Sequence, residues 1–359
     1  KISGVWIMAY TTIDDPSAFF QTALYTGNGT AIGSGGLTIT NDGNSDLQPD
    51  WIWHKKRGNA ESHAVADTNR GTHKGLFPNE NSQESTGGSQ YVNSFNTDGF
   101  TVGNVGWAND SSQTYVAWQW KCNGGTTSSN SDGDITATVQ ANTTAGFSIM
   151  TWTSNNADNQ TIGHGLGAAP EVFWVKIRDA TGSWYCYFKA AGATHYLSLN
   201  SDGAKVDNVI WGDTHPTSSV ITVDTNSLSG STPTVVSYAF KEVQGYSKFG
   251  SYIGNGNADG TFVYTGFKPA WLLWKRTDSA TDWRMFDNKR DDDNVVKGRL
   301  FPNTNDSENT SQDTLDFLSN GFKLRSTNSG GNASSGTYIY MAFAEHPFVS
   351  SKGVPVTAR

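Results

Sequence analysis

One apolar, tryptophan-rich strand is written three times in this chain, and the repetition constrains the fold more than any other feature. "PDWIWHKKRG" at Pro49–Gly58 returns as "PAWLLWKRTD" at Pro269–Asp278, with a weaker copy, "PEVFWVKIRD", at Pro170–Asp179. The echo extends downstream. "DTNRG" and "KGLFPN" (Asp67–Gly71, Lys74–Asn79) return as "DNKRD" and "KGRLFPN" (Asp287–Asp291, Lys297–Asn303). Each unit closes on a near-continuous apolar run: "YVAWQW" at Tyr115–Trp120, "VVSYAF" at Val235–Phe240 and "YIYMAF" at Tyr338–Phe343. A repeat of roughly 100–120 residues is far longer than solenoid or propeller units of ~20–50 and is the size of a whole domain. The 359 residues therefore divide into three tandem homologous domains at 21–123, 124–243 and 244–345. An N-terminal arm (1–20) precedes them and a C-terminal tail (346–359) follows.

Local pattern makes the units β. "WLLW" and "YIYMAF" are apolar on both faces, as in strands covered from both sides. "FTVG" (Phe100–Gly103) and "FKLR" (Phe322–Arg325) alternate, and each is preceded by a turn-forming Asp98-Gly99 or Asn320-Gly321 pair. No segment carries a capped helical period. Proline before each tryptophan strand removes an N–H where the loss costs little. The fold class expected is all-β: three antiparallel two-sheet sandwiches, with Trp51, Trp53, Trp271 and Trp274 filling their cores.

The totals exclude several functions. With 25 basic and 33 acidic residues the net charge is −8, which disfavours nucleic acid as a partner. No apolar run approaches the ~20 residues of a membrane-spanning helix, so membrane insertion is not expected. Two cysteines, Cys122 and Cys186, cannot build a disulfide scaffold or a zinc site alone; they read as small buried apolar residues, with pairing left open. Residues 1–7 lack the features of a secretory signal, and Met8 opens "MAYTTIDDPSAFF" like a natural start. Lys1–Ile7 are accordingly expected to be upstream sequence.

The search for chemistry finds few candidates. Paired carboxylates on one strand face, as a glycanase needs, are not evident, and no nucleophile elbow, zinc helix or phosphate loop occurs. The chain is expected not to be an enzyme. The repeated Asp-x-x-Arg spacing, Asp67/Arg70 and Asp287/Arg290, reads as an ion pair or turn bond holding a strand end. Asp287, Asp291, Asp292 and Asp293 are the candidate calcium ligands, with solvated surface charge the alternative; no other cofactor is implied. His54, His63 and His73 lie at no metal-ligand spacing. Trp107, Trp211 and Trp283 sit among polar turn residues and are the candidate sugar-stacking platforms. The alternative is that each tucks over the end of its own sandwich.

The proline–tryptophan strand, the "DNKRD" and "DTNRG" turns, "LFPN", the Gly-Phe strand and the closing apolar strand resemble tandem domains in structural proteins of marine tailed phages, including those of cyanobacteria. The resemblance runs from Met8 to Arg359. It implies concanavalin A-like lectin/glucanase (jelly-roll-type) sandwiches and a virion location: a tail fibre or other appendage, or a capsid decoration. The expected partners are other virion proteins, further copies of the chain as a homo-oligomer, and host surface glycans. No catalytic residue carries over. The alternatives are a secreted carbohydrate-binding, lectin-like protein and, less favoured, a glycan-degrading enzyme.

Overall fold

The computed structural model describes residues 9–229 and 231–355. The proposed upstream stretch Lys1–Ile7, Met8, and the last four residues of the tail lie outside the described residues. The chain is all-β with antiparallel sheets, as its pattern requires.

Every repeat unit builds the same four-strand arrangement, ordered opening–closing–proline–flanking strand. In unit 1 these are Phe20–Thr26, Thr114–Trp120, Trp51–Lys56 and Ala64–Asp67; in unit 3, Ser247–Ile253, Thr337–Pro347, Phe267–Arg276 and Arg284–Asp287. The closing and proline strands are central and buried along both faces, which explains their unbroken apolar sequence. Unit 2 repeats the four as Phe147–Thr153, Thr234–Phe240, Val172–Ile177 and Tyr185–Phe188. Its sheet then grows at both ends. Ala137–Asn142 and Ser128–Asn130 extend one edge, and His195–Ser198 and Val206–Asp207 the other.

One face of each large sheet is covered by a small sheet of its own unit. Unit 1 uses Leu37–Ile39, Val92–Asn96 and Gly99–Val102; unit 3 uses Phe262–Tyr264, Leu315–Leu318 and Gly321–Leu324; unit 2 uses the pair Gln160–Gly163 and Val220–Val223. Ile52, Ala64 and Ala117 meet Ile39, Phe100 and Val102 in that space in unit 1, and Leu272, Trp274 and Ala342 meet Val263, Phe322 and Leu324 in unit 3. Trp274 is thus a sandwich-core residue, as its position suggested.

The opposite faces of the three large sheets pack on one another. A single buried cluster joins Trp51, Trp53, Trp118 and Trp120 of unit 1, Phe147, Trp174, Tyr238 and Phe240 of unit 2, and Trp271, Leu273, Met341 and Phe343 of unit 3. Trp51 contacts rings on both sides of a unit boundary: Trp120 at 4.6 Å on its own sheet, and Tyr238 at 5.0 Å and Trp174 at 5.8 Å across the boundary. Alternation along the strand makes this possible, since Trp51 and Trp53 point to the shared face and Ile52 to the private one. Trp51, Trp53 and Trp271 therefore lie between units, where a reading of separate sandwiches had placed them inside one. Aromatic payload of this size on the inner faces favours association of the sheets, because each exposed alone would present a large apolar surface.

The arm and tail dock on the chain itself. Ile13 enters the shared core, the Tyr10 hydroxyl donates to the Gly266 carbonyl at 2.7 Å, and the Ser351 amide donates to Asp14 at 2.6 Å. Among the described residues no helix is long and apolar enough to cross a membrane.

Candidate functional site

The three boundaries between units are variations on one design, and most of the residues singled out in the sequence belong to them. After each proline strand a loop residue reaches into the neighbouring unit. The Trp184 indole N–H (unit 2) donates to the Phe77 carbonyl (unit 1) at 2.9 Å, and that of Trp283 (unit 3) to the Ser198 carbonyl (unit 2), also at 2.9 Å. His63 of unit 1 holds the same place. Its Nδ1 accepts from the Trp53 indole at 2.9 Å, leaving Nε2–H for the Phe301 carbonyl of unit 3 at 3.1 Å. An asparagine side chain accepts the backbone N–H of each of the three: Asn79 for His63, Asn200 for Trp184 and Asn303 for Trp283. Backbone bonds repeat the pattern, Glu84 to Arg178, Lys205 to Thr277 and Glu308 to Arg57. Unit 2 thus grips unit 1, unit 3 grips unit 2, and unit 1 grips unit 3, so the ring of contacts closes.

The Asp-x-x-Arg motif lies in two of these seams. Asp67 accepts the Arg70 amide at 2.8 Å and its Nε–H at 2.5 Å, while the Arg70 Nη2 donates to the Val65 carbonyl. Asp287 and Arg290 reproduce all three bonds, with Met285 supplying the carbonyl. Both side-chain pairs are fully buried. The second role is across the boundary. Asp67 also accepts the Tyr238 hydroxyl of unit 2 at 2.6 Å, and Asp287 the Trp118 indole N–H of unit 1 at 3.0 Å. Glu84 then joins Arg70 to Arg178 of unit 2, and Glu308 binds Arg57 of unit 1. Burial alone would lower the Arg70 and Arg290 guanidinium pKa values; the partnered aspartates outweigh it and hold both above the usual value. The pairs are structural, as their spacing suggested, with an inter-unit function that the local spacing did not reveal.

The same chemistry corrects the candidate sites. Trp107, Trp211 and Trp283 are buried, with exposures of 5%, 0% and 0%. Trp107 packs on His54 and Tyr91; Trp211 packs on Phe173 and Tyr187 and donates to the His195 carbonyl; Trp283 is a seam bond. A sugar cannot stack on an indole whose faces are already covered, so the glycan-platform reading of these three is withdrawn. Trp283→Phe removes the seam donor and leaves the Ser198 carbonyl bare, so a loss of about 1–2 kcal/mol is expected in a denaturant melt.

The proposed calcium ligands do not converge either. Asp287 is consumed by Arg290 and Trp118, and Asp291 accepts the Lys297 and Gly298 amides. Among the described residues no cluster of three or more His, Cys, Asp or Glu side chains could hold a metal ion. Cys122 and Cys186 are buried, unpaired thiols, with pKa values pushed up by burial. His54 and His63 are likewise held well below their usual pKa by burial, His54 at about 3.

Open space gathers at the seam between units 3 and 1. A cleft of about 220 Å³ lies between Phe20, Thr22, Asp15 and Asp42 on one side and Ala270, Lys289, Ala344 and His346 on the other. It adjoins a wider groove of about 490 Å³ that includes Lys268, Phe317 and Asp291–Asp293. The lining mixes polar and apolar surface, and its charged side chains are predominantly acidic. Sequence reasoning missed this surface, because the two walls of the cleft are more than 220 residues apart.

A family model described as a domain of unknown function, DUF7483, matches residues 15–347 and so spans all three units. No curated protein and no solved structure matches the chain.

Proposed function

The chain belongs to the DUF7483 family, and we propose that it is a non-enzymatic, load-bearing surface protein of a phage virion, in a tail fibre or other appendage or as a capsid decoration. In this reading three homologous concanavalin A-like sandwich domains, fused in one polypeptide, act as one rigid block. The observation that carries it is the closed ring of seams: His63, Trp184 and Trp283 each commit a buried side chain to a neighbouring unit. Tryptophans that would serve a lectin as ring platforms are spent on cores and seams instead, which favours architecture over glycan capture. Contacts with other virion proteins are then the principal interaction, in preference to a secreted lectin or a glycan-degrading enzyme.

Two measurements test this. Antibody raised against the chain is expected to label the surface of intact purified particles, and peptides from all three units are expected in their proteome; absence from the particle overturns the assignment. On an array of bacterial surface glycans the purified protein is expected to be silent with and without calcium. Saturable glycan binding would restore the adhesive reading, through residues other than the three buried tryptophans.

A further inference from the structure

The edge of the strand Phe20–Thr26 is open. It is the outermost strand of its sheet, and among the described residues no strand or isolated bridge pairs with its far side. The same chain shows what that place can hold. In unit 2 the equivalent strand, Phe147–Thr153, is paired along its far edge by Ala137–Asn142, with Gln140 opposite Ile149 and Thr138 opposite Thr151. The added strand is clamped from unit 1. The Asn69 amide donates to the Thr138 and Ile149 carbonyls, and Thr68 meets the Gln140 side chain.

At the seam of units 3 and 1 the clamp positions are present and the strand is not. Asn288 and Lys289 stand where unit 1 has Thr68 and Asn69, and both line the 220 Å³ cleft beside Phe20 and Thr22. The residue after the repeat proline differs in a way that keeps the cleft open. Asp50 accepts the amides of Cys122, Gly124 and Gly125, and Glu171 that of Glu242, so each holds the link to the following unit. Unit 3 has Ala270 there, with Ala344 beside it. Two further features point to an occupant. Thr22 is 5% exposed, yet its hydroxyl, beside the cleft, has no hydrogen-bond partner. Leu24, on the same face of the strand, is 40% exposed.

The chain does not close this edge with the segment that does so in unit 2. There the added strand immediately precedes the opening strand. Here the preceding described residues cross to unit 3 and the tail that follows it, where Tyr10 bonds Gly266 and Asp14 bonds Ser351.

We propose that the edge of Phe20–Thr26 is a β-augmentation site that takes one extended strand from a partner protein. Backbone bonding supplies affinity in such a mode, and side-chain pockets supply selectivity. Lys289 is ion-paired with Asp42 and Lys268 with Glu345, so Asp15 in the cleft and Asp291–Asp293 in the groove leave the lining net acidic. The strand selected is one with a lysine or arginine facing Thr22 and small or β-branched residues beside it. This inference stands apart from the particle assignment, since it concerns how the block joins a protein, whatever carries it.

The probes are two synthetic peptides, a copy of residues 134–143 and the same peptide carrying Q140K, titrated into the full chain by calorimetry. Saturable binding is expected, at least tenfold tighter for the lysine peptide. It is expected to weaken at least tenfold in Leu24→Lys and in Asp42→Lys, two exposed substitutions that leave the cores intact. Amide exchange should slow within Phe20–Thr26 when peptide is added. The proposal is overturned if neither peptide saturates, if both substitutions leave binding unchanged, or if binding appears only after residues 1–8 are removed. It is also overturned if the free protein self-associates through this edge, as judged by light scattering on wild type and Leu24→Lys.

Discussion

Replacing Asp67 by alanine is expected to lower stability by about 3–5 kcal/mol, because it strands a buried guanidinium that the fold cannot rehydrate. Arg70 would keep Glu84 and the Val65 carbonyl but lose its closest partner, and the Tyr238 hydroxyl of unit 2 would lose its acceptor. The third seam shows how the damage can be repaired. Where units 1 and 3 have Asp67/Arg70 and Asp287/Arg290, unit 2 has Phe188 and Ala191. The residue facing them across the boundary is Met341, in place of Tyr238 or Trp118. All three are buried in the shared core, and Phe188 lies 6.0 Å from the Trp283 ring. The polar set has been exchanged as a whole for an apolar one. Removing every partner of a buried ion pair together can be nearly neutral, whereas removing one is not. The triple substitution Asp67→Phe, Arg70→Ala, Tyr238→Met is therefore expected to recover most of the loss and to unfold at a denaturant midpoint near wild type. A triple variant no more stable than Asp67→Ala would show that the two seam chemistries are not interchangeable. It would then be the backbone around Asp67, rather than charge satisfaction, that fixes the seam.

These contrasts also show what a sequence discloses about such a molecule. The strands were legible because burial on two faces leaves an unbroken apolar run and half-burial leaves alternation. The Asp-x-x-Arg turn was legible because its bonds span three residues. What escaped was everything set by the packing of units on one another. Trp283 reads as a loop residue by its neighbours Thr281 and Asp282, and only the Ser198 carbonyl, 85 residues earlier, explains its burial. Trp51 and Trp274 occupy similar repeat strands, yet one faces the shared core and the other a private one. The register between the copies, with Trp271 rather than Trp274 equivalent to Trp51, decides this, and it becomes clear once strand pairing is known. A signal for the seams did exist. The middle unit lacks the Asp and Arg, and unit 3, across that seam, lacks the opposing polar residue, which is the mark of a shared contact.

The largest pH effect is expected on the alkaline side and comes from three lysines that the repeat places alike. Lys55, Lys176 and Lys275 sit two residues beyond Trp53, Trp174 and Leu273 on the shared-core face. All are buried, and each Nζ donates to the carbonyl of the next residue, at 2.9, 2.8 and 2.7 Å. Burial lowers each to about 8 from 10.5. Between those values the unfolded chain binds more protons than the folded one, so stability rises with pH through the window from about 8 to 10.5. Each lysine is expected to contribute about 2 kcal/mol between pH 7 and 9.5. The raised thiols of Cys122 and Cys186 and buried phenols such as Tyr238 and Tyr246 act oppositely, since they ionise first in the unfolded chain. They erode the gain from about pH 9 upward. The difference between wild type and Lys176→Met cancels those contributions and isolates one lysine whose shift has burial as its sole cause. Lys176→Met is expected to be the more stable protein at pH 7, where wild type must bury a charge, and to lose about 2 kcal/mol of that advantage by pH 9.5. Paired denaturant melts at the two pH values measure it. An advantage that stays constant would mean that the Ile177 carbonyl and nearby water solvate the ammonium fully, and that the shared core tolerates its three cations without strain.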